Sequence, residues 1–206
     1  MTAAAHLHDA QELYRHCEHE QWNTWSIHLA VDRDQWQSAL SDEDNGLVYS
    51  ALSSLMVAGE WITTKFAGLV MAAESEEEGS FSPTSRSTRP GTCSSTCGFQ
   101  NEVIDAPATI AAHVARSREQ LGESFAVIFD YALVAAHERL AASPADPLAK
   151  VDFVTIYHLV IERTLGLTAF EFITHYLTNN ELLPGFVDGC SHIHHDEQRH
   201  IGYGVW

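Results

Sequence analysis

Two carboxylates stand in apolar company. Glu60 lies in "LMVAGEWIT" and Glu162 in "IYHLVIERTLG", both in strongly apolar stretches of the chain. A carboxylate taken out of water must be paired, protonated or bound to a cation, because burying it alone is prohibitively costly. Glu197 and His200, in "DEQRH", are spaced i and i+3 and share one face of a helix. In helix bundles a Glu-x-x-His pair, joined by lone glutamates from neighbouring helices, builds a site for two iron or manganese ions. Carboxylates neutralise and bridge the cations, imidazole adds a nitrogen donor, and open positions remain for dioxygen. Asp196 and Arg199 flank the pair, and a ligand histidine commonly leans on a neighbouring carboxylate. Plainer readings stand beside this one. Either glutamate turns toward solvent or pairs with Lys65 or Arg163, and "HIHHDEQRH" is a surface histidine cluster.

The elements that must carry these residues read as helices. The first 40 residues are mixed polar and aromatic and suit an arm of short helices. Ser41 followed by "DED" is a helix start, with a capping hydroxyl and acidic groups near the positive end. A long apolar helix follows over 47–73, buried on nearly all sides. The pattern resumes from about Val103 to Leu121, and another helix begins after Gly122 and ends at "SPADP". A second long apolar helix runs from Leu148 to Asn180, "ELLPG" breaks it, and a last helix begins near Phe186. Its end carries no cap and no polar tail, so the chain reads as stopping in mid-helix, a truncated C-terminus. No segment alternates as a strand, so the class is all-α, a helix bundle in one domain over 1–206.

A chain of 206 residues buries a real core. Its formal net charge of −17 argues against nucleic acid and anionic membranes as partners. No signal peptide and no membrane span is read, and the four cysteines are expected to be reduced thiols of a cytoplasmic protein. Cys93 and Cys97 form a C-x3-C with no second pair, a weak zinc signal.

With these motifs in hand, the chain resembles the ribonucleotide reductase small subunit and its relatives, the manganese/iron ligand-binding oxidases of the ferritin-like superfamily. "VAGEWIT" resembles the first ligand helix, "YHLVIERTLG" the third and "DEQRHIGYG" the fourth. The resemblance implies Glu60, Glu162, Glu197 and His200 as metal ligands, with Fe and/or Mn as cofactor. It also implies a role for Tyr157, five residues before Glu162, as a candidate catalytic tyrosine; the alternative is a packed core tyrosine. In the ligand-binding oxidases such a tyrosine links to a valine, where this chain has Thr63.

One stretch departs from the resemblance. The family pattern requires a second Glu-x-x-His on the helix after Glu60, about where the chain reads "GSFSPTSRSTRPGTCSSTCG", residues 79–98. No such motif is written there, and Thr88, Arg89, Gly91 and Thr92 stand in its place. One coding of "STRPGTC", TCG ACG AGG CCC GGC ACA TGC, reads differently when begun one base earlier on a G. It becomes GTC GAC GAG GCC CGG CAC ATG, or Val-Asp-Glu-Ala-Arg-His-Met, the counterpart of "DEQRH". A pair of compensating frameshifts near Gly79 and Gly98 therefore accounts for the patch; a native loop insertion is the alternative. As written, the segment is expected to be irregular, leaving a ferritin-like bundle whose second ligand helix is disrupted.

Two function classes follow. One is a di-metal oxidase that activates dioxygen for an unknown small-molecule or lipid-like substrate, with one half of its metal site lost in this chain. The other is a non-catalytic helical scaffold binding at most one metal. Apolar helices without cover also suggest a homodimer.

Overall fold

The computed structural model describes residues 9–76, 78–79, 95–104, 110–119 and 121–205. Helix starts follow local chemistry. α1 (Ala10–His19) opens on a capping box in which Asp9 accepts from the Glu12 N–H and Glu12 reaches back to the Asp9 N–H. α2 (Ala30–Ser38) follows a short 3-10 turn, Thr24–Ser26. α3 (Asp42–Lys65) starts on a second capping box between Ser41 and Asp44, as the sequence predicts. The predicted apolar helix over 47–73 is interrupted at Phe66, after which α4 (Ala67–Met71) continues.

Residues 95–102 are helical, here called α5, and Thr96, Phe99 and Gln100 are buried in it. This corrects two expectations. The segment 79–98 is not irregular at its C-terminal end, because α5 begins by residue 95 and packs Phe99 against Trp36 and Phe186. The helix expected over 103–121 is instead α5 ending before Val103 and α6 (Ile110–Arg118). Residues 80–94, with the expected frameshift motif, lie outside the described residues.

The next helix rod joins α7 (Glu123–Ala126), a π-helical stretch (Val127–Leu133) and α8 (Val134–Ala142). The rod after it joins α9 (Pro147–Val154), a second π-helical stretch (Thr155–Gly166) and α10 (Leu167–Asn179). Asp146 caps its start and Pro147 occupies the first turn, where its missing N–H is harmless. α11 (Pro184–Val205) returns along the second π-helical stretch and α10, with α1 and α2 laid across it. Among the described residues there is no strand, and no helix is long and apolar enough to cross a membrane. The protein is an all-α helix bundle.

The turn into α11 is held from a distance. Glu181 and Leu183 adopt positive φ of 55° and 48°, a costly conformation for residues with a Cβ. Gln35 of α2 fastens both sides of the turn, accepting from the Leu183 N–H at 2.6 Å and donating to the Glu181 carbonyl at 2.9 Å. One turn earlier on α2, the buried Asp32 carboxylate accepts from the N–H groups of Gly185 (2.9 Å) and Phe186 (2.7 Å). It thus satisfies two donors that the first turn of any helix leaves open. A Cβ at Gly185 would stand 2.6 Å from the His28 carbonyl oxygen, so only glycine allows this approach. α2 therefore fixes the helix that carries Glu197 and His200.

Replacing Asp32 by alanine strands two buried N–H groups and should destabilise the protein by about 2 kcal/mol or more, read by urea unfolding. A change within about 0.5 kcal/mol, the range of an ordinary surface substitution, would show that the clamp is not needed.

Candidate metal centre

The second π-helical stretch explains why four side chains point inward together. Wider winding brings residues five apart into register. Tyr157, His158, Ile161 and Glu162 are all buried on it, at 1%, 0%, 4% and 1% exposure. Thr164 confirms the register by donating to the Leu159 carbonyl, five residues back, at 2.8 Å.

Glu162 is the hub. Its Oε1 accepts from the Tyr157 hydroxyl at 3.0 Å and lies 3.1 Å from His200 Nδ1 on α11. Its Oε2 lies 2.7 Å from His158 Nδ1. Tyr157 packs flat on Phe153 and edge-on to Phe66, with ring centroids 5.6 and 5.5 Å apart. It is thus a core tyrosine whose hydroxyl reaches the hub. Two glycines let the helices come this close. A Cβ at Gly204 of α11 would stand 2.5 Å from His158 Cβ, and one at Gly166 would stand 2.6 Å from Glu197 Oε2. Glu197 therefore lies against the helix four residues beyond Glu162. Burial, then the nearby Glu197 carboxylate, push the Cys190 thiol far above its usual range.

Asp196 and Arg199, predicted as flanking residues, are tied to the N-terminal helices. Arg199 bridges Asp196 and Glu20, and Trp22 Nε1 donates to Asp196 at 2.9 Å. The histidine cluster reading holds only in part, since His200 is buried while His194 and His195 are not.

Glu60 is not brought to this hub. Its carboxylate lies 2.5 Å from Arg118 of α6, and both side chains are 37% exposed. Arg118 also lies over the Trp61 ring at 4.9 Å, which fixes the guanidinium beside Glu60. The reading of a paired glutamate was right in kind, but the partner is Arg118 rather than Lys65 or Arg163. That partner is 58 residues distant in sequence and invisible to helical spacing. The linkage of Tyr157 to position 63 lies outside what is described, as does Cys93 of the weak zinc pair. Cys97 is buried and accepts from Asn101.

Sequence reasoning missed His158, while Glu74, Glu76, Glu77, Glu78 and His113 were candidates to compensate for the absent Glu-x-x-His. His158 carried a signal, a histidine four residues before a buried glutamate. Glu78 is buried among Lys150 Nζ (2.5 Å), the Tyr203 hydroxyl (2.7 Å) and the Glu74 N–H (2.8 Å). His113, in the bundle beside α3, lies 2.9 Å from Asn101 Oδ1. A cavity of about 110 Å³ lies between the N-terminal segment, α3, α5 and α11, lined by Leu52, Phe99, Phe186, Cys190 and Ile193 among others.

The fold matches solved structures. The fold is that of the R2-like ligand-binding oxidases. A Tyr-to-Phe variant of such an oxidase with aerobically reconstituted Mn/Fe cofactor superposes with a TM-score of 0.83 at 21% identity, over 96% of this chain and 71% of that one. A Gly-to-Phe variant gives 0.83 at 21%, over 98% and 72%. An R2-like ligand-binding oxidase with aerobically reconstituted Mn/Fe cofactor (long soak) gives 0.83 at 21%, over 96% and 67%. No protein-family model and no curated protein matches the chain.

The residues present here do not match the donors that a Mn/Fe cofactor like that of those neighbours needs. Glu60 is engaged by Arg118, and the sequence lacks the second Glu-x-x-His. Among the described residues no three His, Cys, Asp or Glu side chains are gathered closely enough to hold an ion. The written chain does not fit a two-ion cofactor.

Glu78 gives the site's surroundings a pH dependence. Burial opposes its charge, but the Glu74 N–H, Lys150 and Tyr203 together hold its carboxyl below the ordinary 4.5. Its contribution to stability is therefore full above about pH 4.5 and is lost as pH falls through the depressed folded value. Thermal unfolding across pH 5 to 3 should show a steeper acid loss in the native protein than in Glu78→Gln. Parallel curves would assign that loss to other groups.

Proposed function

We propose that the protein derives from the iron- and manganese-carboxylate oxidases and retains one half of their metal site. The retained half is Glu162, Glu197 and His200, and it holds at most one Fe or Mn ion. The carrying observation is Glu162 itself, 1% exposed and facing His200 Nδ1 at 3.1 Å from the opposite helix. A carboxylate and an imidazole from the Glu-x-x-His helix meeting in a dry core is the donor chemistry of such sites. Dioxygen activation on a small-molecule or lipid-like substrate belongs to a chain with both halves, in which Tyr157 would stand beside the reacting centre. The written chain acts as a non-catalytic helical scaffold that binds at most one metal. We place it in the cytoplasm as a homodimer. Val127, Tyr131, Leu148 and Val151 are exposed apolar residues that a partner subunit would cover.

The test is metal stoichiometry. Purified protein is loaded aerobically with Fe2+ and Mn2+, and bound metal is measured by plasma emission. About one ion per chain, or fewer, is expected. Replacing residues 79–98 by the shifted-frame reading with Asp-Glu-Ala-Arg-His should raise this to about two. Unchanged stoichiometry would make the segment a native insertion and remove the argument for a lost half-site. In sedimentation of the same samples, a monomer at micromolar concentration would contradict the dimer.

A further inference from the structure

We propose that the cavity between the N-terminal segment, α3, α5 and α11 is a binding site for a small, uncharged and mainly apolar molecule of the size of benzene. The site shares no residue with the Glu162 hub and requires no metal there. Its volume is about 110 Å³. Protein interiors pack like organic crystals, and voids larger than a water molecule are few. A cavity of roughly 150 Å³ lined by Leu, Ile and Phe stays dry and takes up benzene. On that scale the space here holds a guest of roughly six non-hydrogen atoms.

The walls set the ligand class. Leu52, Phe99, Phe186 and Ile193 are buried and converge on the space from α3, α5 and α11. Among the described residues two ionisable side chains line it, Cys190 and Glu102, and neither offers it a charge. Burial keeps the Cys190 thiol protonated. Glu102 is exposed at the rim and already faces Arg33, 3.6 Å away. A charged guest would therefore shed its hydration without a partner, whereas an apolar one gains by leaving water.

The backbone keeps the space open. Gly189 lies inside α11, where alanine would suit the helix better. A Cβ there would meet side-chain ends, Ile27 Cδ1 and Ser95 Oγ, both at 3.2 Å, not the backbone carbonyl that excludes one at Gly185. A Cβ at Gly98, on the α5 wall, would meet no described atom within 4 Å. Both glycines line the cavity, and no close backbone contact demands either of them. At the rim Trp25 borders the space yet is 82% exposed, on the short Thr24–Ser26 turn. It offers an apolar face that an occupant shares.

Benzene is the probe, with benzoate as its charged counterpart. Native protein carrying 13C-labelled Ile and Leu methyl groups is titrated with each and followed by nuclear magnetic resonance. Benzene should give saturable shifts at the Ile27, Leu52 and Ile193 methyls, while Leu133 and Leu140, in the other core cluster, stay unmoved. At about ten times its dissociation constant it should raise the thermal midpoint by about 3 °C or more. Benzoate should do neither. Gly189→Leu places a side chain in the space and should abolish the rise in midpoint, with circular dichroism confirming its fold. The methyl titration of the native protein decides the question even where that variant fails to fold. Absent, unsaturable or chain-wide methyl shifts, benzoate acting as benzene does, or a folded Gly189→Leu with the full benzene response would overturn the inference.

Discussion

The Glu162 carboxylate is the constraint on which the rest of the molecule turns. It sits in a dry core, so the fold must supply hydrogen-bond partners or a cation. The structure answers with Tyr157, His158 and His200, drawn from two helices onto two oxygens. Each partner imposes a further demand. Tyr157 requires the π-helical winding, because ordinary helical spacing would not bring a residue five back onto the face of Glu162. His200 requires α11 at close range, which Gly166 and Gly204 permit. α11 requires a fixed start, which Asp32 and Gln35 provide from α2.

The same logic separates Glu60 from Glu162. Both were read as buried carboxylates in apolar helices. Each found a partner, but of different kinds. Arg118 meets Glu60 near the surface, where a guanidinium remains partly hydrated and the pair is cheap to form. Glu162 meets neutral-capable donors in a site sealed from water.

Most of the fold was legible in the sequence because its signals are local. The Ser41 cap, the "SPADP" and "ELLPG" breaks and the apolar periods placed the helices within a few residues. Helix ends were less legible where no cap marks them, as at Phe66 and Val103. Glu162, Glu197 and His200 were singled out through spacing and apolar surroundings, which are properties of sequence, and the structure brings Glu162 to His200 at 3.1 Å. Arg118 and Asp32 were missed as partners because they act across 58 and 153 residues, through contacts that only packing creates. The reach of Tyr157, five residues before Glu162, depends on a π-helical register, which periodicity at 3.6 residues does not reveal.

The central claim is that Glu162 ties the second π-helical stretch to α11. The direct measurement is equilibrium urea unfolding of metal-free native protein against Glu162→Ala. Removing the common acceptor leaves buried donors on both helices without it, and the expected loss is roughly 3–5 kcal/mol. A loss near that of a plain cavity is not distinctive, so the second readout is amide hydrogen exchange. Protection should fall together in 155–166 and 197–205 while α3 keeps its own. Unchanged stability, or exchange that rises uniformly through the chain, would contradict the account.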